Sequence, residues 1–567
     1  MKLTGSQLIT ALLERQGVTT LAGIPGGANL PLYDALQGSS IRHVLARHEQ
    51  GAGFIAQGIA RATGSPAVCL GTSGPGATNL LTAIADAKLD SIPLIAITGQ
   101  VPRSMIGTDA FQEVDTFGLS LPITKHNFLV RSAAELLEVI PRAFRLAVSG
   151  RPGPVLVDVP KDVQTEWVDV ASFPEPGRAD PPPLCSAEDI GRAAAMINAA
   201  QKPLLLIGAG VIAANASNDL HTLMEKATLP AAVTLLGLGA LPHDHPLYLG
   251  MVGMHAARFT NMLLDECDLL VGLGVRFDDR ATGKATEFCP HAKILHIDID
   301  PSELGKIKQP SLGLVADVRD ALAALTPMVA RATRCRWIRR VNAVRARYPL
   351  MMPGTDDPLR PYGIIRATAA FLPEDAIITS DVGQHQMWAA QAYPFKQPRQ
   401  WLTSGGLGTM GFGLPAAVGA AIACPGRTVA CFSGDGSLLM NMQELATAAE
   451  EDVEVKIILF NNAQLGMVRQ QQQLFYGGRY HGSYLGSTDF VAIARGFGIR
   501  AIDIGKAQNP SAALAEALRQ PGPCLINVPI AGDENVYPMV PPGRANRDMI
   551  TAGQPDRRQS VARMSPT

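Results

Sequence analysis

No long basic run occurs in this chain, and its formal net charge is -1. That argues against a nucleic-acid partner held by bulk electrostatics. No Cys-x-x-Cys pair occurs either. The eight cysteines are scattered singly between Cys69 and Cys524, as expected of reduced, mostly buried thiols in a cytoplasmic protein. No stretch of about 20 apolar residues free of charge is present, so no membrane span is expected. Met1 to Glu14 reads as an amphipathic helix with Leu3, Leu8, Leu12 and Leu13 on one side. It has no basic leader followed by an apolar core, so no signal or transit peptide is expected. Charge is scarce, 17% against 47% hydrophobic residues, so large cores can form. A length of 567 residues suits three or four domains.

What is present is a repeated alternation of short apolar runs with helical spacing. In residues 1–165 the runs Thr20–Gly23, Ile41–Leu45, Ala67–Gly71, Leu94–Thr98 and Val155–Val159 predict strands. In residues 188–345 the corresponding runs are Pro203–Ile207, Ala231–Thr234, Leu269–Leu273, Ile294–Asp298 and Leu314–Ala316. In residues 362–548 they are Ala376–Ser380, Gln400–Leu402, Thr428–Ser433 and Val455–Phe460. The pattern predicts an α/β fold of three doubly wound parallel sheets. Proline-rich linkers near Phe173–Gly177, Pro181–Pro183 and Met351–Pro358 separate the segments. Residues 549–567 are expected to be a flexible tail. The first and third segments share one plan of glycine loops between apolar strands and small-residue helices, which suggests a duplication.

The stretch Gly434-Asp435-Gly436-Ser437 to Asn461-Asn462 carries the strongest local signal. It reads as strand, helix over Ser437 to about Glu451, and strand. Parallel neighbours place their carboxyl ends together, which brings Asp435 and Asn462 to a common rim. One carboxylate and one amide oxygen suit Mg²⁺, and the glycines let backbone N–H groups approach phosphate. Glu49 opens a helix whose following residues, Gly51 to Ala60, are small or apolar nearly all round. A carboxylate entering a buried helix needs a partner or a raised pKa. Gly208-Ala209-Gly210-x-x-Ala213 is a near match to a dinucleotide fingerprint and is weak evidence alone. Asp298 stands at a strand end, where a carboxylate can hold ribose hydroxyls.

Together these motifs resemble the thiamine-diphosphate-dependent enzymes, and within them the catalytic large subunits of acetohydroxyacid synthase (acetolactate synthase), of bacterial isozyme I type. The motifs are Gly434-Asp435-Gly436…Asn461-Asn462, Arg47-His48-Glu49-Gln50-Gly51, Gly99-Gln100-Val101, Gly107 to Glu113, Lys161-Asp162-Val163, Arg276 to Arg280, Gly405 to Pro415 and Met467-Val468-x-Gln470. The resemblance implies a pyrimidine-binding domain, a central Rossmann-like FAD domain and a diphosphate/Mg domain, in a homodimer that can pair into tetramers. It implies thiamine diphosphate, Mg²⁺ and FAD as cofactors, and a small regulatory subunit as partner. It also implies a reaction: pyruvate loses CO₂, and its hydroxyethyl unit joins a second pyruvate or 2-ketobutyrate, the first common step of valine, leucine and isoleucine synthesis. A pyruvate oxidase using the same two organic cofactors is the alternative.

Carried over position by position, the resemblance makes Glu49 the activating acid/base. Gln384, His385, Gly408, Met410, Gly434, Asp435, Gly436, Ser437, Asn462, Gln464, Leu465 and Gly466 would bind thiamine diphosphate. Asp435, Asn462 and the carbonyl of Gln464 would bind the metal. Arg151, Gly208, Ala209, Gly210, Thr234, Leu235, Met254, His255, Gly274, Val275, Arg276, Asp278, Arg280, Asp298, Ile299 and Asp317 would bind FAD. Gly27, Gln100, Phe111, Lys161, Arg276 and Gln471 would meet substrate. Three positions depart from the family pattern: Gln471 where tryptophan is usual, Ala256 for glycine and Val275 for alanine. The first implies a weaker preference for 2-ketobutyrate.

Overall fold

The computed structural model describes residues 1–552, so residues 553–567 of the expected tail lie outside the described residues. Three six-stranded sheets organise the chain. The first holds β1 (Thr20–Gly23), β2 (Arg42–Leu45), β3 (Ala67–Gly71), β4 (Leu94–Gln100), β5 (His126–Leu129) and β6 (Val155–Pro160), in the order β2-β1-β3-β4-β6-β5. The second holds β7 (Pro203–Ile207), β8 (Ala231–Val233), β9 (Tyr248–Met251), β10 (Leu269–Leu273), β11 (Lys293–Asp298) and β12 (Leu312–Val315), in the order β9-β8-β7-β10-β11-β12. The third holds β13 (Ile377–Ser380), β14 (Trp401–Thr403), β15 (Val429–Gly434), β16 (Val455–Asn461), β17 (Arg500–Asp503) and β18 (Cys524–Pro529), in the order β14-β13-β15-β16-β18-β17. Every ladder in them is parallel. The first and third sheets therefore share one strand order, which supports the duplication read from their glycine loops. The middle sheet has the order of dinucleotide-binding folds.

Helices cover both faces, so central strands such as β3 and β15 are buried along their whole length and read as continuous apolar runs. Four strands of these three sheets escape the sequence pattern. β5, β9 and β17 lie at sheet edges, where one side meets no neighbour and few apolar residues are needed. β18 is central, but Pro521-Gly522-Pro523 before it reads as a turn, and Asn527 and Pro529 interrupt its apolar run. At the amino end the first helix begins only at Gly5, capped by Thr4. Lys2–Thr4 pairs instead with Trp167–Asp169 as a small antiparallel ladder. No helix among the described residues is long and apolar enough to cross a membrane.

Two helices bring the first and third sheets together: α1 (Glu49–Thr63) and, further along, α3 (Gly413–Ala423), with α2 (Pro75–Asp90) between them in sequence. Small residues let their backbones touch. A Cβ on Gly58 would collide with the Ala416 carbonyl, and one on Gly419 with the Ile55 carbonyl. The single helix expected over Ser437–Glu451 is in fact two, α4 (Asp435–Asn441) and α5 (Glu444–Glu450). Side chains at the break are drawn elsewhere: Asn441 Nδ2 donates to the Gly411 carbonyl at 2.7 Å, and the Glu444 carboxylate accepts from the amides of Arg47 and His48.

Candidate active site

Open α/β sheets bind ligands where the strand order reverses, because the loops there diverge and leave a crevice. All three sheets have such a crevice, and each has glycines where a side chain would fill it. In the third sheet the reversal lies between β13 and β15. The His385 ring sits against Gly434 there, within 2.9 Å of where a Cβ would stand. In the second it lies between β7 and β10, where Gly210 approaches Gly274 so closely that a Cβ would come within 2.6 Å of its Cα. In the first it lies between β1 and β3, where a Cβ on Gly26 would come within 2.6 Å of Thr72.

The second and third crevices open into one cavity of about 800 Å³. Every residue expected at the flavin lines it, from Arg151 through Gly208–Gly210 and Gly274–Arg276 to Asp317. So does every residue expected at thiamine diphosphate except Glu49, and so do Arg276 and Gln471 of the substrate set. At the rim, Asp435 opens α4 directly after β15, and Asn462 follows β16. Asp435 Oδ2 accepts the Asn462 amide at 3.1 Å, and its Oδ1 accepts that of Gly436 at 2.7 Å. Asn462 Oδ1 accepts the Gln464 amide at 3.2 Å. Burial pushes the Asp435 carboxyl up, opposed by the four amides of Gly436, Ala463, Asn462 and Gln464. Among the buried atoms of wall residues that have no partner among the described residues are Gln384 Oε1, His385 Nε2 and Gln464 Oε1. Burial holds His385 down to about 3, so its ring is neutral and can donate one N–H without carrying charge. Met410 Cε lies 3.7 Å from where a Cβ on Gly436 would stand, which sets the thioether over the start of α4.

No group of three His, Cys, Asp or Glu side chains capable of holding a metal is found among the described residues. The rim offers one carboxylate, one amide and backbone carbonyls instead. That donor set is too hard and too sparse for a transition metal. It fits Mg²⁺, which takes its remaining oxygens from phosphate and water.

On the flavin side, Asp298 is nearly buried and its carboxyl is pushed up to about 6 by burial. His255 is buried and held down to about 4, so it is neutral, and its Nδ1–H donates to the Pro538 carbonyl at 3.0 Å. Asp278 and Asp317 each spend an oxygen capping a helix, a structural duty beside their place on the wall. Arg151 is tied to Glu303 at 2.6 Å and to Asp300 at 3.3 Å. Arg276 has no ion pair among the described residues. Val275 packs its branches toward Gly208 and Gly272, filling the space its extra bulk needs.

The remaining sequence-predicted residues, Glu49, Gly27, Gln100, Phe111 and Lys161, do not line this cavity. They gather at the carboxyl end of the first sheet. Glu49 begins α1 and accepts from Asn79 Nδ2 at 2.9 Å through Oε2. Its Oε1 lies 3.4 Å from where a Cβ on Gly76 would stand. Gln100 is buried, its Nε2 shared between Val114 O and Asp158 Oδ2 at 3.0 Å each. Gly27 and Lys161 are exposed, and Phe111 is 87% exposed. In a single chain these five residues stand outside the cavity that gathers the others. Asn79, Asp158 and Glu444 hold Glu49, Gln100 and the start of α1 in place and are not marked by the sequence reading. They contact their clients only through the fold, and no local pattern marks them.

Comparison with known proteins agrees with the geometry. Residues 3–119 match the N-terminal TPP binding domain of thiamine pyrophosphate enzymes, residues 190–325 the central domain and residues 381–528 the C-terminal TPP binding domain. The chain is 59% identical to the acetolactate synthase isozyme 1 large subunit of Escherichia coli, over 97% of this chain and 98% of that one. It is 47% identical to the isozyme 2 large subunit of the same organism, over 97% and 99%. It is 46% identical to the acetolactate synthase large subunit of Parasynechococcus marenigrum, over 97% and 91%. With three thiamine pyrophosphate enzyme domains in order and relatives matched over nearly their whole length, the chain belongs to the thiamine-pyrophosphate enzymes, in the family of acetolactate synthase large subunits.

Proposed function

We propose that this chain is the catalytic subunit of an acetolactate synthase, converting two pyruvates to 2-acetolactate and CO₂, or pyruvate and 2-ketobutyrate to 2-aceto-2-hydroxybutyrate and CO₂. The observation that carries the reading is one cavity holding both the Asp435–Asn462 rim and Arg276, a guanidinium with no ion-pair partner among the described residues. Thiamine diphosphate supplies a carbon nucleophile and a sink for the charge released on loss of CO₂. Asp435, Asn462 and the carbonyl of Gln464 would hold Mg²⁺ and, through it, the diphosphate, and the neutral His385 ring would donate an N–H to that group. Met410, on the cavity wall over the start of α4, would support the rings of the cofactor. Glu49 Oε1, the oxygen Asn79 leaves free, holds and returns a proton at the pyrimidine ring nitrogen. Arg276 takes the carboxylate of the second keto acid, a paired contact suited to its planar fork. Gly208–Gly210, Gly274 and Asp298 would hold FAD, whose redox chemistry this reaction does not use. Gln100, Phe111, Lys161 and Gly27 line the approach for substrate.

Because Glu49 and Asp435 lie on separate halves, the working site is built between two copies of the chain, each lending one half. The small regulatory subunit implied by the large-subunit relatives completes the assembly. Purified protein given pyruvate, thiamine diphosphate and Mg²⁺, with and without FAD, tests the reading. It should form acetolactate in an FAD-dependent manner. Oxygen consumption with peroxide and no acetolactate would assign it to pyruvate oxidation instead.

A further inference from the structure

We propose that Asp86 and Asp90 are positioning residues that hold the strap Ser404–Thr409, and through it Gly408 and Met410, against the thiamine site. The inference rests on the reading of that site given above. Both carboxylates sit on α2, one turn apart, with side chains 0% exposed. One guanidinium faces them: Arg61 of α1 donates to Asp86 Oδ1 at 3.1 Å and to Asp90 Oδ2 at 2.8 Å. Two buried carboxylates present four oxygens, and the one guanidinium reaches two of them. The strap supplies what is missing. Gly405 and Gly406 amides donate to Asp90 at 3.0 and 2.7 Å, and the Ser404 and Thr409 hydroxyls donate to Asp86. Thr409 N–H in turn donates to Ser404 Oγ at 2.8 Å.

The strap has little else to hold it. It contains no helix or strand, Leu407 is 43% exposed, and Gly408 takes a left-handed φ of 72°. Among the described residues, only Gln386 Nε2, on the Ser404 carbonyl at 3.2 Å, tethers it from the cavity wall by a hydrogen bond. Beyond the strap the chain is caught again by Asp381, which accepts from Gly411 and Gly413 at 2.8 and 2.9 Å. Met410 is the residue between the two anchorages. The strap also runs beside the second-substrate end: a Cβ on Gly406 would lie 3.2 Å from the Arg276 guanidinium. The carboxylate pair therefore places the Met410 edge and the Arg276 edge with one device. It does so from the first sheet, so the half that carries Glu49 also shapes the other half of its own chain.

Calorimetric titration of the apo protein with thiamine diphosphate in Mg²⁺ tests this without relying on turnover. Asp90→Asn and Asp86→Asn should each weaken binding about tenfold, the loss of one charge-assisted contact. Thermal midpoint and bound flavin should stay near wild type. If either variant fails to fold, the paired change Ser404→Ala with Thr409→Val removes the strap's hydroxyl donors instead, and it should weaken binding likewise. Variants that bind thiamine diphosphate as wild type does, while losing thermal stability and flavin together, would show a purely structural brace and overturn the proposal. A wild-type protein that does not bind thiamine diphosphate would instead refute the reading of the site itself.

Discussion

Asp158 stands beneath Gln100 at the end of β6, with the Thr98 hydroxyl donating to Oδ1 at 2.7 Å and Gln100 Nε2 donating to Oδ2. Burial pushes its carboxyl from the ordinary 3.8 to about 7. The fold thus binds the proton more tightly than the unfolded chain does. That contribution to stability is full below pH 3.8 and is lost as pH rises through about 7. Asp158→Asn keeps an acceptor toward Gln100, turns its NH₂ to Thr98 and does not titrate. Its unfolding midpoint relative to wild type should rise steadily between pH 4 and 7, and a difference that stays flat across that window would sink the assignment. A second single-residue expectation concerns selectivity. Gln471 lines the cavity and is exposed, with no apolar face to cover an extra methylene. Gln471→Trp should shift product ratios in mixed-substrate assays toward 2-aceto-2-hydroxybutyrate by about tenfold, since a methylene in a hydrophobic pocket is worth about 1–3 kcal/mol. An unchanged ratio would remove Gln471 from the substrate set.

Between elements, the closest approach that bears on function is α1 against α3. The contact relies on glycine at both crossing points. Phe54 and Phe412 pack edge to face beside it at 5.3 Å, and the Arg61 guanidinium lies 4.9 Å from the Phe412 ring. Gly58→Ala places a methyl against a backbone carbonyl that cannot rotate away, so the helices must part. Overpacking of this kind costs about 1–3 kcal/mol, and the contact with main chain puts Gly58→Ala at the upper end of that range. Chemical denaturation should report it, and because α1 begins with Glu49, activity should fall as well. Full stability in this variant would mean that the two helices slide freely, contrary to the packing seen. Glu444 reinforces the same junction: it accepts the Arg47 and His48 amides at the start of α1 at 3.0 and 3.1 Å, and its own carboxyl is pushed up by burial.

For the whole molecule, the separation of Glu49 from Asp435 makes a mixing experiment decisive. Glu49→Gln should lose most activity, about a hundredfold or more, the usual worth of a positioned acid/base group. Asp435→Asn should lose it through the metal. If each site takes one half from each copy, a hybrid dimer of the two variants has one site doubly damaged and one intact. Random re-association should then restore about a quarter of wild-type activity, half the dimers being hybrid with one good site each. No recovery in verified hybrids would place both halves of a site in one chain.

Features set by neighbours along the chain are legible in the sequence alone. The strand ends carrying Asp435 and Asn462, the start of α1 at Glu49 and the glycine loop at Gly208 each follow from local apolar runs, glycines and a carboxylate at a helix start. Central strands were legible because burial on both faces demands unbroken apolar residues. Edge strands β5, β9 and β17 were not, because exposure relaxes that demand. The break between α4 and α5 lies in partners far away, Gly411 and the start of α1, which no window of sequence contains. Folding alone decided which halves meet: the flavin and diphosphate crevices merge into one cavity, while Glu49 is held apart on the first sheet. It alone brought Asp86 and Asp90 under the strap, since a carboxylate pair acts through space and leaves no period or spacing along the chain to announce its client.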